Sequence, residues 1–417
     1  MKHIGFVESN LTGSGFQALQ ISKEMGLRVT FLTRSLEEYL RFPGNDEIFK
    51  SCVDEIIYYD DNNIESVIKA IQKQGTISFD GIMSVSDYHV PIAAGVAKHF
   101  GLPGLRPQAA NNARNKCFTR AKCLEYGVPA PKFASVNTLE EVLNSAIEIG
   151  FPCVIKPVDE SASHGVVMCE NQVELEAAYH TIQANNINSR GQERVKSVLI
   201  EEFLRGYEVS VELVVKDKQY FTLGITDKKL VGMPYFIEIG HLFPSQMPDN
   251  LFKECEKIAI QALNAIQFDF GPAHVELKIT ENGPKLVEVN ARTAGGHITD
   301  LVDLSLGIPY LKEMIRMFLG EEPDLDATKQ KGASIQFFTA SSGIVTEIHG
   351  IELVKQLKGV QELNITCKKG DYIRELQSNR ERLGYVITTG DSPYEAKRLA
   401  ESVLQHVKII TKQKMEQ

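Results

Sequence analysis

Nowhere in the 417 residues does an apolar run approach the roughly 20 residues that a membrane-crossing helix needs. No membrane span is therefore expected. Residues 1–7 give way at once to polar positions, which leaves no sustained apolar stretch for a secretory leader. The seven cysteines, Cys52, Cys117, Cys123, Cys153, Cys169, Cys255 and Cys367, are odd in number and contain no Cys-x-x-Cys pair. That pattern argues against disulfides or a zinc site and for free thiols in a reducing, cytoplasmic setting. Positive charge is also short, with 45 Lys and Arg against 54 Asp and Glu and a formal net charge of -9. A chain of that sign is a poor candidate for gripping nucleic acid, so anionic ligands fall to lysines, backbone N–H groups and metal ions. There is no low-complexity tract and no fixed-period repeat. The 43% hydrophobic content is enough for large buried cores.

What is present divides into roughly three domains of ~100–200 residues. Residues 1–107 alternate strand-like runs (3–7, 28–32, 55–59, 81–85) with helical patterns (15–25, 64–71, 90–100). This rhythm predicts a doubly wound parallel sheet. Such sheets bind ligands beyond the carboxyl ends of their strands, which here carry Glu8-Ser9-Asn10 and Ser84-Val85-Ser86-Asp87. Gly101-Leu102-Pro103-Gly104 marks a boundary. A single helix is expected over about 109–126, within a central domain spanning 108–332 whose small α+β portion covers about 127–200. From 333 to 417 an α+β domain is expected, with strands near 335–338, 343–348, 360–366 and 383–389. Its amphipathic helix over 393–406 has Asp391 or Ser392 as N-cap.

Three stretches carry chemistry. The first is His274-Val275-Glu276-Leu277-Lys278, a turn at Glu281-Asn282-Gly283, then Leu286-Val287-Glu288-Val289-Asn290-Ala291-Arg292, a hairpin signal. Strand alternation puts Glu288, Asn290 and Arg292 on one face. If the loop holds an odd number of residues centred on Asn282, Glu276 lies opposite Glu288. Two carboxylates and an amide oxygen then converge, a donor set suited to Mg²⁺. A two-residue loop would put the two acids on opposite faces. The plain alternative is a solvated hairpin with ordinary salt bridges.

The second stretch is Cys153-Val154-Ile155-Lys156-Pro157, an apolar strand ending in lysine. A loop of small residues follows, Asp159-Glu160-Ser161-Ala162-Ser163-His164-Gly165-Val166, whose N–H groups can approach phosphate oxygens. It is not a Walker loop, because no Gly-Lys-Ser/Thr follows. The third runs Leu199-Ile200-Glu201-Glu202-Phe203-Leu204-Arg205-Gly206-Tyr207-Glu208. Its connector can read a purine edge, with Glu208 in reach of ribose hydroxyls. Snorkelling for Lys156 and a plain hairpin for the third stretch are the bland readings.

Taken in order, Asn115-Lys116, Lys156-Pro157, the 161–165 loop, Glu201-Glu202-Phe203-Leu204, Glu208, Glu276 and Glu288-x-Asn290-x-Arg292 resemble the ATP-grasp superfamily across essentially the whole chain. Within it the chain looks most like the L-amino-acid ligases that form dipeptides. The resemblance implies a pre-ATP-grasp α/β domain, an ATP-grasp domain with a lid, and a C-terminal domain like that of biotin carboxylase, where 383–387 and Gly390-Asp391-Ser392-Pro393 fit. It implies that Lys116 and Lys156 hold the ATP phosphates beneath the lid loop, where Ser161, Ser163 and Gly165 lie. Glu201, Glu202, Phe203 and Leu204 would line the adenine site and Glu208 would take the ribose. Glu276, Glu288 and Asn290 would hold two Mg²⁺ (or Mn²⁺), and Arg292 would stabilise an acyl-phosphate. One departure is the acidic Asp159-Glu160, where many relatives have glycine.

The implied partners are a small carboxylate and an amine joined at the cost of ATP, in a homodimer. Candidates for substrate contact are Glu8, Ser9, Asp87, His89, Gly296 and His297. Lys228 either reaches the nucleotide or is half of a solvated lysine pair. Competing readings are a carboxylase or purine-pathway enzyme of the same superfamily, and a module that binds nucleotide without turnover. A nucleotide-binding dehydrogenase lacks support, because the first strand is not followed by a properly spaced Gly-x-Gly-x-x-Gly.

Overall fold

The first strand, His3–Val7, is entirely buried and pairs in parallel with Arg28–Thr33 on one side and Gly81–Met83 on the other. Glu55–Tyr58 extends the sheet beyond Arg28–Thr33, giving the spatial order third, second, first, fourth. Successive side chains of the central strand reach opposite faces. Ile4 and Phe6 pack with Phe16 and Phe31, whereas Val7 packs with Leu32, Ile57 and the helix Val90–His99. The doubly wound sheet expected for the first 107 residues is thus present. The order reverses between the first and fourth strands, so Glu8 and Ser84–Asp87 emerge side by side at the switch point. This computed structural model describes residues 1–11, 13–42, 44–75 and 77–413. Among them no helix is long and apolar enough to cross a membrane.

The single helix expected over 109–126 is two, Pro107–Arg114 and Lys116–Glu125. Asn115 causes the break. Its backbone is extended, and its side-chain oxygen accepts from the N–H groups of Cys117 (3.0 Å) and Phe118 (3.3 Å). Asparagine offers the backbone a local partner that competes with helix continuation and caps the next one. Lys116 therefore becomes the first residue of a new helix, and it is buried.

The small α+β portion expected over about 127–200 as a lid holds a four-stranded antiparallel sheet in the order Phe133–Val136, Val198–Glu202, Cys153–Pro157, Val167–Cys169. Helices Leu139–Ile149 and Gln172–Gln183 pack on one face of it around Cys153, Ile155 and Leu175.

An eight-stranded antiparallel sheet forms the centre of the molecule. In order it holds Gly283–Asn290, Phe270–Thr280, Tyr207–Lys216, Gln219–Val231, Ile237–Phe243, Gly332–Phe337, Gly384–Gly390 and Val360–Ile365. The boundary expected near 333 is therefore not a break in the sheet, because Gly240–Phe243 pairs directly with Ala333–Gln336. The helix Pro393–His406 forms as expected, capped by Ser392, whose side chain accepts from Glu395 N–H.

In Tyr207–Lys216, Val209, Val211, Leu213 and Val215 face the helix Asp249–Ala265. The intervening Glu208, Ser210 and Glu212 are just as buried. The adjoining strand repeats the pattern, with Ala273, Val275 and Leu277 on the apolar face and His274, Glu276 and Lys278 on the other. Buried charge is retained only with partners or ligands, so the polar face is where function is sought.

Candidate active site

A cavity of about 600 Å³ lies between that polar face, the lid and the N-terminal switch point. Its floor is the hairpin Phe270–Asn290. The turn is a two-residue one, Glu281-Asn282, closed by Thr280 opposite Gly283, and Lys278 pairs with Lys285. The odd-numbered loop on which the expected convergence depended does not occur. A bulge supplies the missing residue: the register shifts after Leu277–Leu286, so that Val287 is skipped and Glu276 lies opposite Glu288. His274 then lies opposite Asn290. A β-bulge re-aims side chains in this way beside many active sites. Glu276, Glu288, Asn290 and Arg292 all line the cavity.

Facing them are the two expected lysines. The Lys116 Nζ donates to Glu160 O (2.7 Å) and lies 3.0 Å from Glu288 Oε1. The Lys156 Nζ lies 2.5 Å from Glu201 Oε2. Burial pulls the Lys156 pKa below its usual value, and Glu201 offsets part of that.

Glu201 lines the cavity as expected, and its side chain is engaged by two cations. Its carboxylate is fixed between Arg120 Nε (2.5 Å) and Lys156. Burial alone would raise its pKa, but these two cations hold it below the usual range. It fixes the Lys156 ammonium group, and Arg120 had no signal of its own in the sequence. Glu202 sits at the rim with Lys285 (3.3 Å). Phe203 and Leu204 line the cavity beside it, with the Phe203 ring 6.1 Å from that of Phe236.

Lys228 is not half of a solvated pair. Its side chain is 1% exposed, and its Nζ lies 3.0 Å from Glu208, 2.9 Å from Glu238 and 2.9 Å from Glu276. Burial would lower its pKa, but the carboxylates of Glu238, Glu276 and Glu208 raise it well above the ordinary value. Glu208 also takes Lys278 at 3.2 Å. The same lysine thus ties the expected ribose acid to an expected metal acid. Lys229 next to it is exposed. Glu238 was missed by the sequence reading. Its signal was strand alternation, since Glu238 and Lys228 approach from adjacent strands of the same sheet.

The expected lid loop lines one side of the cavity. Ala162 and Ser163 both have φ 58° and Gly165 has φ 75°. Left-handed non-glycine residues cost of order 1–3 kcal/mol each and persist where the surroundings impose them. Ser161, Ser163 and neighbouring His164 line the cavity, whereas Gly165 does not, packing instead near Pro157. The acidic pair is consumed internally. Asp159 accepts from Val195 N–H (2.9 Å), and Glu160 accepts from Tyr88 Oη (2.8 Å) and from Ser189 N–H and Oγ (3.1 and 2.9 Å). Burial opposes ionisation of Glu160, yet the His164 ring nitrogen 3.5 Å away and hydrogen bonds from Tyr88 and Ser189 hold its pKa down to about 2.

The expected substrate contacts divide. Glu8 does not line the cavity. Its carboxylate accepts from Tyr39 Oη (2.5 Å), Tyr59 Oη (2.9 Å), Thr33 Oγ1 (3.0 Å) and Arg34 N–H (2.8 Å), so it braces the strand ends. Ser9 and His89 are buried away from the cavity too. His89 Nδ1 meets Ser86 Oγ at 3.1 Å, and burial pushes its pKa well down. Asp87 does line the cavity, but its Oδ2 is engaged by Arg292 Nη2 (2.6 Å) and Ser161 Oγ (2.9 Å) rather than left open for an ammonium group. Gly296 and His297 line the far end. His297 Nδ1 lies 2.7 Å from Asp300 Oδ2, and its ring centroid lies 4.1 Å from that of Tyr385.

Among the described residues no group of three or more His, Cys, Asp and Glu side chains is arranged to hold a metal unaided. Two carboxylates and one amide oxygen beside open space suit Mg²⁺, which keeps water and shares phosphate ligands. The lysines facing them fit a nucleotide triphosphate in the same cavity.

Known proteins share this fold and these domains. An ATP-grasp domain model matches residues 149–300, an ATP-grasp N-terminal domain model matches 19–104, and L-amino acid ligase C-terminal domain 2 matches 336–412. The chain is 22% identical over 398 residues to an L-arginine-specific L-amino acid ligase of Bacillus subtilis, covering 93% of each. It is 28% identical over 306 residues to an alanine–anticapsin ligase of Bacillus subtilis, covering 67% of this chain and 64% of that protein. The fold matches the crystal structure of an L-amino acid ligase from Bacillus licheniformis with a TM-score of 0.82 at 24% identity, over 99% of both chains. The ordered lysines, the bulged acidic hairpin, the three matched domains and the shared fold lead to one assignment: the chain belongs to the ATP-grasp superfamily.

Proposed function

We propose that the protein joins a small carboxylate to an amine, at least one of them an L-amino acid, by an ATP-driven route through an acyl-phosphate. The observation that carries this reading is one cavity in which Glu276, Glu288 and Asn290 face Lys116 and Lys156, with Arg292 beside them. The amino-acid ligases among its relatives, and the L-amino acid ligase domain matched at 336–412, support amide formation over carboxylation. All seven cysteines are free thiols, in keeping with a reducing compartment.

A carboxylate oxygen attacks the γ-phosphorus of ATP, and ADP leaves. The amine then attacks the acyl carbon and phosphate leaves. Lys116 and Lys156 neutralise the phosphates, and Arg292 steadies charge on the acyl-phosphate. Glu276, Glu288 and Asn290 would hold Mg²⁺, which supplies charge neutralisation at the transferring phosphoryl group. Catalysis is then mainly positioning and electrostatics, with the lid loop keeping water from the activated acyl group. The test is release of ADP and phosphate across pairs of amino acids. Release should require both a carboxylate and an amine, and Glu288→Ala should abolish it. Stimulation by bicarbonate but not by amino acids would reverse the choice of acceptor.

A further inference from the structure

One dipeptide of the N-terminal domain meets both the lid loop and the arginine of the site. Asp87 Oδ2 accepts from Arg292 Nη2 at 2.6 Å and from Ser161 Oγ at 2.9 Å. The adjacent Tyr88 hydroxyl donates to Glu160 Oε2 (2.8 Å) and accepts from Ser161 N–H (3.2 Å). The Tyr88 ring carries the Arg114 guanidinium 4.4 Å from its centroid, and that guanidinium also donates to Asp159 O. Residues 159–161 are thus tied to the N-terminal domain by the side chains of Asp87 and Tyr88, and to the helix Pro107–Arg114 by that of Arg114. One of these ties shares its acceptor oxygen with Arg292.

A single oxygen serving two donors makes their positions interdependent. When the loop is down, Ser161 and Arg292 together fix the Asp87 carboxylate, and Asp87 aims the guanidinium into the cavity. When the loop lifts, Ser161 and the Tyr88 contacts leave with it, and Arg292 loses that fixed counter-charge. Three donor groups converge on Asp87 and Tyr88 from the lid and the central sheet, which is more than strand-end capping requires.

Resting on the ligase reading above, we propose that Asp87 and Tyr88 are positioning residues that couple closure of the lid loop to the placement of Arg292. This coupling keeps the acyl-phosphate intact until the amine arrives. Without it, water attacks the acyl carbon, the acyl–oxygen bond breaks, phosphate leaves and the carboxylate is regenerated, so ATP is spent without amide.

Asp87→Asn and Tyr88→Phe test this in the full-length protein with two readouts. The first is the ratio of ADP released to amide formed. It should rise severalfold in both variants while the KM for ATP changes little. The second is hydrogen exchange at the Ser161 amide with Mg²⁺ and a non-hydrolysable ATP analogue present. Exchange should be about tenfold faster in Tyr88→Phe, as expected for loss of roughly one hydrogen bond. Folded variants with unchanged ratio and unchanged exchange overturn the proposal. So does a fall in amide formation matched by a rise in the KM for ATP at constant ratio, which would assign the dipeptide to nucleotide binding. A wild-type protein that forms no amide from any pair sinks the ligase reading instead, and the exchange readout still decides the coupling.

Discussion

The two faces of the paired strands Tyr207–Lys216 and Phe270–Thr280 are both largely buried and oppositely composed. One face carries Val209, Val211, Val275 and Leu277 against a helix, where burial of apolar area stabilises the fold. The other carries Glu208, Glu212, His274 and Glu276, whose desolvation is unfavourable and is offset by one another and by Lys228 and Lys278. The difference teaches that this sheet divides its labour by alternate residues. Over residues 208–212 and 274–278, odd positions hold the domain together, and even positions hold polar and charged groups in a shape that suits a nucleotide and its metal.

The comparison breaks most visibly on the polar face. Glu276→Gln preserves shape and removes one anionic donor. Steady-state assay should show turnover falling by about 10²–10³-fold, the range for removing one preorganised group at a site of developing charge, and the melting temperature should fall too, because Lys228 and His274 each lose a buried counter-charge. Lys228→Met removes the cation between three carboxylates. Denaturant unfolding should show a loss of roughly 3–5 kcal/mol, the cost of stranding buried charge, partly recovered by Mg²⁺ with nucleotide. On the apolar face, Leu277→Ala should cost about 2–5 kcal/mol while KM values for the remaining folded enzyme stay unchanged. If Leu277→Ala instead abolished turnover at full stability, the division of labour would be wrong.

A pH-dependent effect lies on the helix Ile298–Leu306 over the cavity face. Burial pushes the Asp303 pKa from its ordinary 3.8 up to about 7. The folded state therefore holds a proton that the unfolded state releases, and stability declines as pH rises between those values. Asp303→Asn keeps an oxygen for the Tyr310 N–H (2.8 Å) and cannot ionise. Its melting temperature should exceed that of the wild type by more at pH 8 than at pH 5.

Much of this was legible in the sequence because it is periodic. The βαβ rhythm of the first domain, the hairpin alternation and the Ser392-capped helix all follow from local pattern. The bulge at Val287 was not legible. A one-residue register shift leaves no mark in alternation and is set by packing across the sheet. The roles of Glu8 and Asp87 could not be separated either. Both end apolar strands at the same edge, and only tertiary partners, Tyr39 and Tyr59 for one and Arg292 and Ser161 for the other, distinguish brace from site. Arg120 and Glu238 were missed because each acts through a residue distant in sequence.

The most direct test of the acyl-phosphate account follows oxygen. With a carboxylate substrate labelled with ¹⁸O, mass analysis should find one labelled oxygen carried into each phosphate released alongside ADP and amide. Unlabelled phosphate, or AMP and pyrophosphate in place of ADP, would contradict it.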